Sequence, residues 1–481
     1  MSNQQTNSSI IEGSLPLLPG QKTWGPMALF GNSASAAVAT WCFITGGYVA
    51  YWLPAARGSI AITAGTLLGL FIMMLAAVPA SSRYGIEAVR STRPQFGVRG
   101  SYFTLALVLL IMAGWNAVLT IFLGSAATEA MVTMGFLPES GRAAGQIVFG
   151  LIGCLVVYVL LRKGPDTLRN VGPVIAISVI LLSVVIMGVL ISNVGLDTIF
   201  AAKPLEPNGS DRLNYALVTE LGIAGAVAWW PYVGGLTRFS RSTKGSIVPV
   251  VLGLGVTMCV VIIIGLFASL AIPESGGNPT AFLIQVGGPV FGVVALGFII
   301  LANIGTTMVG IYVCALALKQ VPSIDKRISW KGSTALSIVP VAVILVFFAG
   351  PFMDNYGTFL AFAGVTLGPI CGVQIADYYF IRRQRLDVRG LFADTPGSAY
   401  WYMGGFNPAG FIGAIAGVIT YLVVLDPVHF VPRLGFEYMT ATIPATVVAG
   451  MIYAAVTLAL PSLRKTQDSQ SLPTAAAKNL G

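Results

Sequence analysis

The side chains in this sequence that could bind or carry something polar stand inside apolar stretches. Trp115 and Asn116 lie midway along one such stretch, and Asn303, Thr306 and Thr307 lie beside Gly305 in another. Glu220 and Glu129 are the acids left within apolar sequence. A carboxylate surrounded by lipid is costly unless neutralised or hydrated, so an intramembrane acid points first to the passage of an ion, a proton or a polar solute. Glu220 precedes Ala226 by six residues, about 9 Å along a helix axis, whereas Glu129 lies at an outer end and reads as a headgroup-level acid. Catalytic chemistry is not encoded. His429 is the single histidine and reads as a surface residue; Cys42, Cys154, Cys259, Cys314 and Cys371 lie in apolar sequence with no C-x-x-C spacing. No metal-ligand spacing, H-E-x-x-H or nucleophile and base pair accompanies them, so the cysteines read as small hydrophobes.

The elements that must position these residues follow from composition. Of 481 residues, 27 are basic and 18 acidic, so 9% are charged, where soluble chains carry about 25%. With 56% hydrophobic residues and a mean hydropathy of +0.82, a water-soluble enzyme is excluded and the solvent is lipid. The apolar residues form twelve runs near 26–52, 59–82, 101–133, 144–161, 171–194, 214–234, 247–272, 286–318, 334–352, 356–381, 407–425 and 439–461, each of a length that crosses a hydrocarbon core of about 30 Å. An even number of spans puts both termini on one side.

Basic residues give the orientation, because Lys and Arg are retained in the cytoplasm. Of the 27, five fall on one side, Arg57, Arg142, Lys203, Arg212 and Arg433, and the other 22 share the side of the termini. The termini are therefore expected in the cytoplasm and the chain in the plasma (inner) membrane. The formal charge of +9 is explained by this topology, with no nucleic-acid partner. Met1 to Thr23 lacks the pattern of a cleavable signal, and the tail after Pro461 reads as disordered.

Two runs are poor continuous helices. Run 1 contains Gly31, Asn32, Ser33, Ser35, Thr40, Thr45, Gly46 and Gly47; run 6 contains Gly222, Gly225, Trp229, Trp230, Pro231, Gly234 and Gly235. Interrupted helices at corresponding places in two halves point to a transporter site near the bilayer midplane. Their separation by five runs predicts an inverted repeat of five plus five helices with two extra. The resulting units are a tail 1–24, repeats 25–200 and 201–404, a helix pair 405–461 and a tail 462–481. Glycines at four-residue spacing, such as Gly65 and Gly69, Gly364, Gly368 and Gly372, or Gly413 and Gly417, read as surfaces for close helix packing.

Three loop motifs give the sequence a family likeness. They are Gly85 through Arg93-Pro94-Gln95-Phe96-Gly97-Val98-Arg99-Gly100-Ser101, then Thr237-Arg238-Phe239, then Ala376-Asp377-Tyr378-Tyr379-Phe380-Ile381-Arg382-Arg383 leading to Tyr400-Trp401-Tyr402 and Gly405-Phe406-Asn407-Pro408. With them the chain resembles the nucleobase:cation symporter-1 family, the cytosine, purine, allantoin and hydantoin permeases, across all twelve runs.

The resemblance implies an all-α, LeuT-type fold with runs 1 and 6 interrupted, alternating access, and a small flat heterocycle held between runs 1, 3, 6 and 8. Such a ring wants an aromatic face, worth about 1–3 kcal/mol per base in other settings, and groups that match its polar edge. Trp115 matches the family's stacking tryptophan, beside Asn116. On run 6 the family's second ring aligns with Ala226, after Gly225, so either the substrate is clamped from one face only or Trp229, Trp230 or Trp41 replaces the ring. Ala39 aligns where some relatives carry an amide, and Thr307 where several carry asparagine; Asn303, Thr307, Glu220 and freed backbone are left to read the substrate edge. The sodium ligands of relatives align with the carbonyls of Ser35, Val38 and Ala302 and with hydroxyls at positions now Gly305 and Thr306. One hydroxyl is missing, with a water or the Ser35 hydroxyl as its expected replacement, which leaves sodium and a Glu220 proton relay both open, with no further cofactor. The expected function is gradient-driven import of a nucleobase or related heterocycle; a symporter of the same fold for an amino acid or vitamin precursor is the alternative. The oligomeric state is unspecified.

Overall fold

The computed structural model describes residues 15–162, 164, 166–460 and 463. The tail expected to be disordered, and the first fourteen residues, lie outside the described residues. Run 1 is two helices, α1 (Pro26–Ala37) and α2 (Thr40–Trp52), meeting at a bend of 55°. Between them Val38 and Ala39 leave helical geometry, with ψ of 84° and 168°. Then come α3 (Ala55–Tyr84), α4 (Ser101–Thr133), α5 (Arg142–Leu161) and α6 (Asp166–Val194).

Run 6 divides into α7 (Asp211–Val227) and α8 (Trp230–Thr237). Its interruption is milder than expected: Ala228 and Trp229 keep right-handed backbone, and the pair is straight enough to read as one span. Run 7 is α9 (Thr243–Val250) and α10 (Thr257–Ala271), joined by a π-helical turn. The remaining long helices are α11 (Pro279–Leu318), α12 (Trp330–Phe347), α13 (Tyr356–Ile375), α14 (Pro408–Val424) and α15 (Thr442–Ala459). Gly288 interrupts α11 near its start, with φ of 78°.

Among the described residues ten helices are long and apolar enough to cross a membrane, and the bent pair α1 and α2 makes an eleventh. The one expected run outside this set is run 11, α14, an apolar helix of 17 residues, about 26 Å long. A short antiparallel ladder, β1 (Leu425–Asp426) and β2 (Val431–Pro432), caps the turn between α14 and α15.

The packing carries the five-helix shift. In the first half α2 lies against α10 of run 7; in the second α7 lies against α3 of run 2. Exchanging each run with its counterpart five away in the other half turns one of these contacts into the other, and it returns the contact between α4 and α11 to itself. Small residues permit the approach. A Cβ added at Gly65 or Gly69 of α3 would stand 2.2 or 2.4 Å from the Thr219 or Ile223 carbonyl oxygen of α7. Gly413 and Gly417 of α14 are used in the same way against Ala449 and Ala445 of α15, so that stripe serves the chain's own bundle.

The three loop motifs converge on the basic face, where they build a buried plate beneath the helices. The Asp377 carboxylate accepts from Gln95 Nε2 at 2.7 Å, from Arg382 Nε at 2.9 Å and from the Tyr453 hydroxyl. Arg93 pairs with Asp394 at 2.6 Å, and the Asn407 amide donates to the Phe96 carbonyl at 2.8 Å. Burial draws the Arg90 guanidinium down to about 10, and neighbouring Arg93 acts in the same direction. The N-terminal segment crosses this plate, its Trp24 ring stacked on Phe239 at 4.8 Å, while Lys22 Nζ donates to the Ser82 and Arg83 carbonyls that end α3.

Candidate substrate and ion sites

The break between α1 and α2 lies beside a cavity bordered by Trp41 and Thr45 of α2, Thr66 of α3, Trp115 of α4, and Gly225 and Ala226 of α7. Leu360 and Ala361 of α13, Tyr421 of α14 and Phe430 of the hairpin close its other sides. The Trp115 indole is fixed by edge contacts: Phe359 at 5.4 Å and Tyr356 at 6.4 Å from α13, and Trp41 at 5.4 Å. Edge-to-face geometry suits the aromatic quadrupole. Free space amounts to about 30 Å³, room for about one water molecule, so a ring enters only as the lining parts.

Of the three aromatic replacements expected at Ala226, the structure puts Trp41 in the lining. Trp229 stands behind it, 5.9 Å from Trp41 and 4.6 Å from Tyr232. Trp230 turns toward α13, its Nε1 donating to Gln374 Oε1 at 2.6 Å. A methyl group at Gly225 would meet nothing within 4 Å, so space lies directly beside the bare stretch of α7.

Several residues expected at the substrate lie outside this lining. The Asn116 side chain faces α11, where a Cβ at Gly310 would come within 2.2 Å of its Oδ1, and its amide bonds the Met112 carbonyl at 2.7 Å. Asn303 Nδ2 donates to the Thr40 hydroxyl at 2.9 Å, fastening α11 to the first turn of α2. The Thr307 hydroxyl donates to the Asn303 carbonyl of its own helix at 2.7 Å, and Ala39 is the backbone hinge at the break. Sequence reasoning passed over Thr66, Tyr421 and Phe430. Thr66 carried a weak signal, a hydroxyl between Gly65 and Gly69; the other two sit outside the ten repeat helices and carried none.

Of the residues expected at a cation site, Ser35, Ala302, Gly305 and Thr306 lie close together, and the Ala36 carbonyl joins them. The Thr306 hydroxyl lies 3.1 Å from the Ser35 carbonyl oxygen, 3.1 Å from that of Ala36 and 3.2 Å from that of Ala302. A hydroxyl has one proton to give, so three carbonyls around it leave lone pairs over, the kind of surroundings a hard cation takes. Val38 stands at the break. At Gly305 a Cβ would lie 2.3 Å from Ser35 Oγ. The space of the missing α11 side chain is therefore held by a hydroxyl from α1.

Glu220 is fully buried and serves a neighbour. Its carboxylate accepts from the Ala441 and Thr442 amides at 3.0 and 3.1 Å and from the Thr442 hydroxyl at 2.6 Å, the first amides of α15. A helix N-terminus is where a negative group is most stabilised. Glu220→Ala leaves those donors unpaired at roughly 1–3 kcal/mol for each buried group. The expected result is a melting temperature in detergent lowered by several degrees, with the pH profile of any residual uptake unchanged. A shifted pH profile at normal stability would instead assign the carboxylate to proton transfer. Glu129, as expected, ends at the surface in an ion pair with Arg142.

A bundle broken at one helix, with a tryptophan-lined cavity and an oxygen cluster at the break, suits a multi-pass membrane transporter, the class to which its relatives belong. The solved structures agree on the fold. Mhp1, a nucleobase-cation-symport-1 family transporter in a closed conformation with bromovinylhydantoin bound, superimposes with a TM-score of 0.78 at 16% identity over 97% of this chain and 98% of its own. A Na+-coupled sialic acid symporter follows at 0.60, with 13% identity over 91% of each chain. The chain belongs to the nucleobase:cation symporter-1 family: the family model described as "Permease for cytosine/purines, uracil, thiamine, allantoin" matches residues 19–442. Among curated relatives it is 24% identical to the purine-uracil permease NCS1 of Arabidopsis thaliana over 95% of this chain and 79% of that protein. It is 23% identical to the allantoin permease of Bacillus subtilis over 94% of both.

Proposed function

We propose that the protein is a sodium-coupled symporter that imports a small flat heterocycle of the nucleobase, allantoin or hydantoin class across the plasma membrane, with both termini in the cytoplasm. The observation that carries the reading is the adjacency of two elements at one helix break: the ring pair Trp41 and Trp115 on one side, the oxygens around Thr306 on the other. A substrate ring stacks on Trp115. Its polar edge is met by backbone groups freed at Val38 and Ala39, by Thr45, and by the Thr66 hydroxyl on the cavity wall. Sodium closes the α1 side against α11 and so favours the conformation that holds the ring. The engagement of Glu220 with α15 supports sodium over a proton as the coupling ion. The basic side of the chain, where Trp24 and Lys22 lie, is the cytoplasmic side by the retention of positive charge.

The test is uptake into cells expressing the protein, with radiolabelled cytosine, uracil, hypoxanthine, allantoin and a hydantoin. One of them should show saturable, gradient-dependent accumulation that the others inhibit to different degrees. Transport of a solute with which none of the five competes would replace the heterocycle reading by one of a different solute class.

A further inference from the structure

Two apolar grooves lie on the lipid-facing surface on either side of α3, both toward the basic face. One, of about 320 Å³, runs between α3 and α9 and is bordered by Met74, Val78, Ile247 and Tyr379. The other, of about 620 Å³, runs between α3, α13 and α15 and is bordered by Ile375, Phe380, Val447 and Met451. They share one wall residue, the exposed Phe71. At the basic end, the consecutive residues Tyr379 and Phe380 of the π-helical turn after α13 line one groove each. The grooves are thus a pair that diverges around one helix.

Exposed cations gather at that same end. Arg83 ends α3, Lys244 begins α9, and Arg383 and Arg385 follow the π-helical turn. The Ser82 and Thr243 hydroxyls lie 2.8 Å apart, and Arg83 donates to the Gln384 carbonyl at 3.2 Å, which brings the three segments together. Among the described residues none of these four cations forms an ion pair with a carboxylate. Apolar tracks alone would accept any lipid tail, and charge alone would attract any acidic headgroup. Two tracks that end at one cation cluster match a molecule with two tails and one negative head. Basic pockets between membrane helices recognise acidic lipid headgroups through this chemistry.

We propose that this region is a binding site for an anionic diacyl phospholipid, its tails in the two grooves beside Phe71 and its phosphate among Arg83, Lys244 and Arg383. The test is native mass spectrometry of the purified full-length protein, offered phosphatidylglycerol and phosphatidylcholine of identical tails in equal amounts. The wild type should retain phosphatidylglycerol with a preference of about fivefold or more, the size expected of one such cation. Lys244→Glu with Arg383→Glu should bring the ratio to about one. Ile247→Trp with Val447→Trp, which fills the grooves, should reduce retention of both lipids. Equal retention by the wild type, or a preference unchanged in the charge variant, overturns the proposal. So does a preference that survives filled grooves, which would mean surface charge alone, or a dimer lost on filling them, which would give the groove to a second copy. The charge substitutions are at exposed positions, so they decide the question even if the tryptophan variant fails to fold.

Discussion

Trp115→Ala is expected to abolish heterocycle uptake while the protein still reaches the membrane in normal amounts. The indole is braced on its edges by Phe359, Tyr356 and Trp41, so its orientation is set before a ring arrives and little ordering remains to oppose stacking. Loss of that face removes about 1–3 kcal/mol, a weakening of about 5–150-fold in affinity. The effect should run past the pairwise value, because Trp41 loses its edge contact and its own place in the lining. Trp115→Phe, which keeps a smaller face, should recover part of the affinity. Equilibrium binding of the labelled substrate to purified protein is the measurement; unaltered affinity in the alanine variant would take Trp115 out of the site.

Replacement of external sodium by choline is expected to stop uptake, and a protonophore at constant sodium to leave it largely intact. Thr306→Val should reproduce the choline result in sodium, since valine keeps the volume and removes the hydroxyl around which three carbonyls gather. Ser35→Ala gives the sharper answer. If the Ser35 hydroxyl takes the part of the one absent at Gly305, its removal costs a charge-assisted contact of roughly 1.5–3 kcal/mol, and the sodium concentration for half-maximal uptake should rise about tenfold or more. Gly305→Ser with Ser35→Ala moves the hydroxyl back to α11 and should restore part of that loss. Uptake that persists in choline and collapses with the protonophore would give coupling to the proton.

The sequence showed most clearly what depends on apolar length. The spans emerged because lipid demands unbroken apolar helix, and the break in run 1 was visible in its crowd of small polar residues around Val38 and Ala39. Run 6 looked equally broken, yet Gly222 lets α3 approach α7, Gly234 and Gly235 meet Ala88 and Val313, and Ala228 and Trp229 make a right-handed turn between the two helices. Asn116 and Asn303 illustrate a different limit. A polar side chain in apolar sequence reads the same whether it meets a ligand or a neighbouring helix, and here the partners are Gly310 and Thr40. Ser35 and Gly305 show the opposite case: the Ser35 hydroxyl, expected beside a water as a stand-in for the one absent at Gly305, lies against that glycine across a gap of 270 residues in sequence. Glu220 was legible as a buried acid but not as a cap, because α15 begins 222 residues later.

That cap bears on how far the chain can be shortened. The ten repeat helices look like a self-contained engine, with α14 and α15 appended. Yet the carboxylate of Glu220 on α7 finds donors at Ala441 and Thr442, and Tyr421 and Phe430 form part of the cavity wall. A chain cut before Pro408 would strand an acid in hydrocarbon and leave the cavity open toward the lipid on one side. The smallest working unit is thus larger than the repeat, and a transplant of the ten helices into a shorter scaffold would have to supply both a replacement for α15 and a neutral residue at position 220.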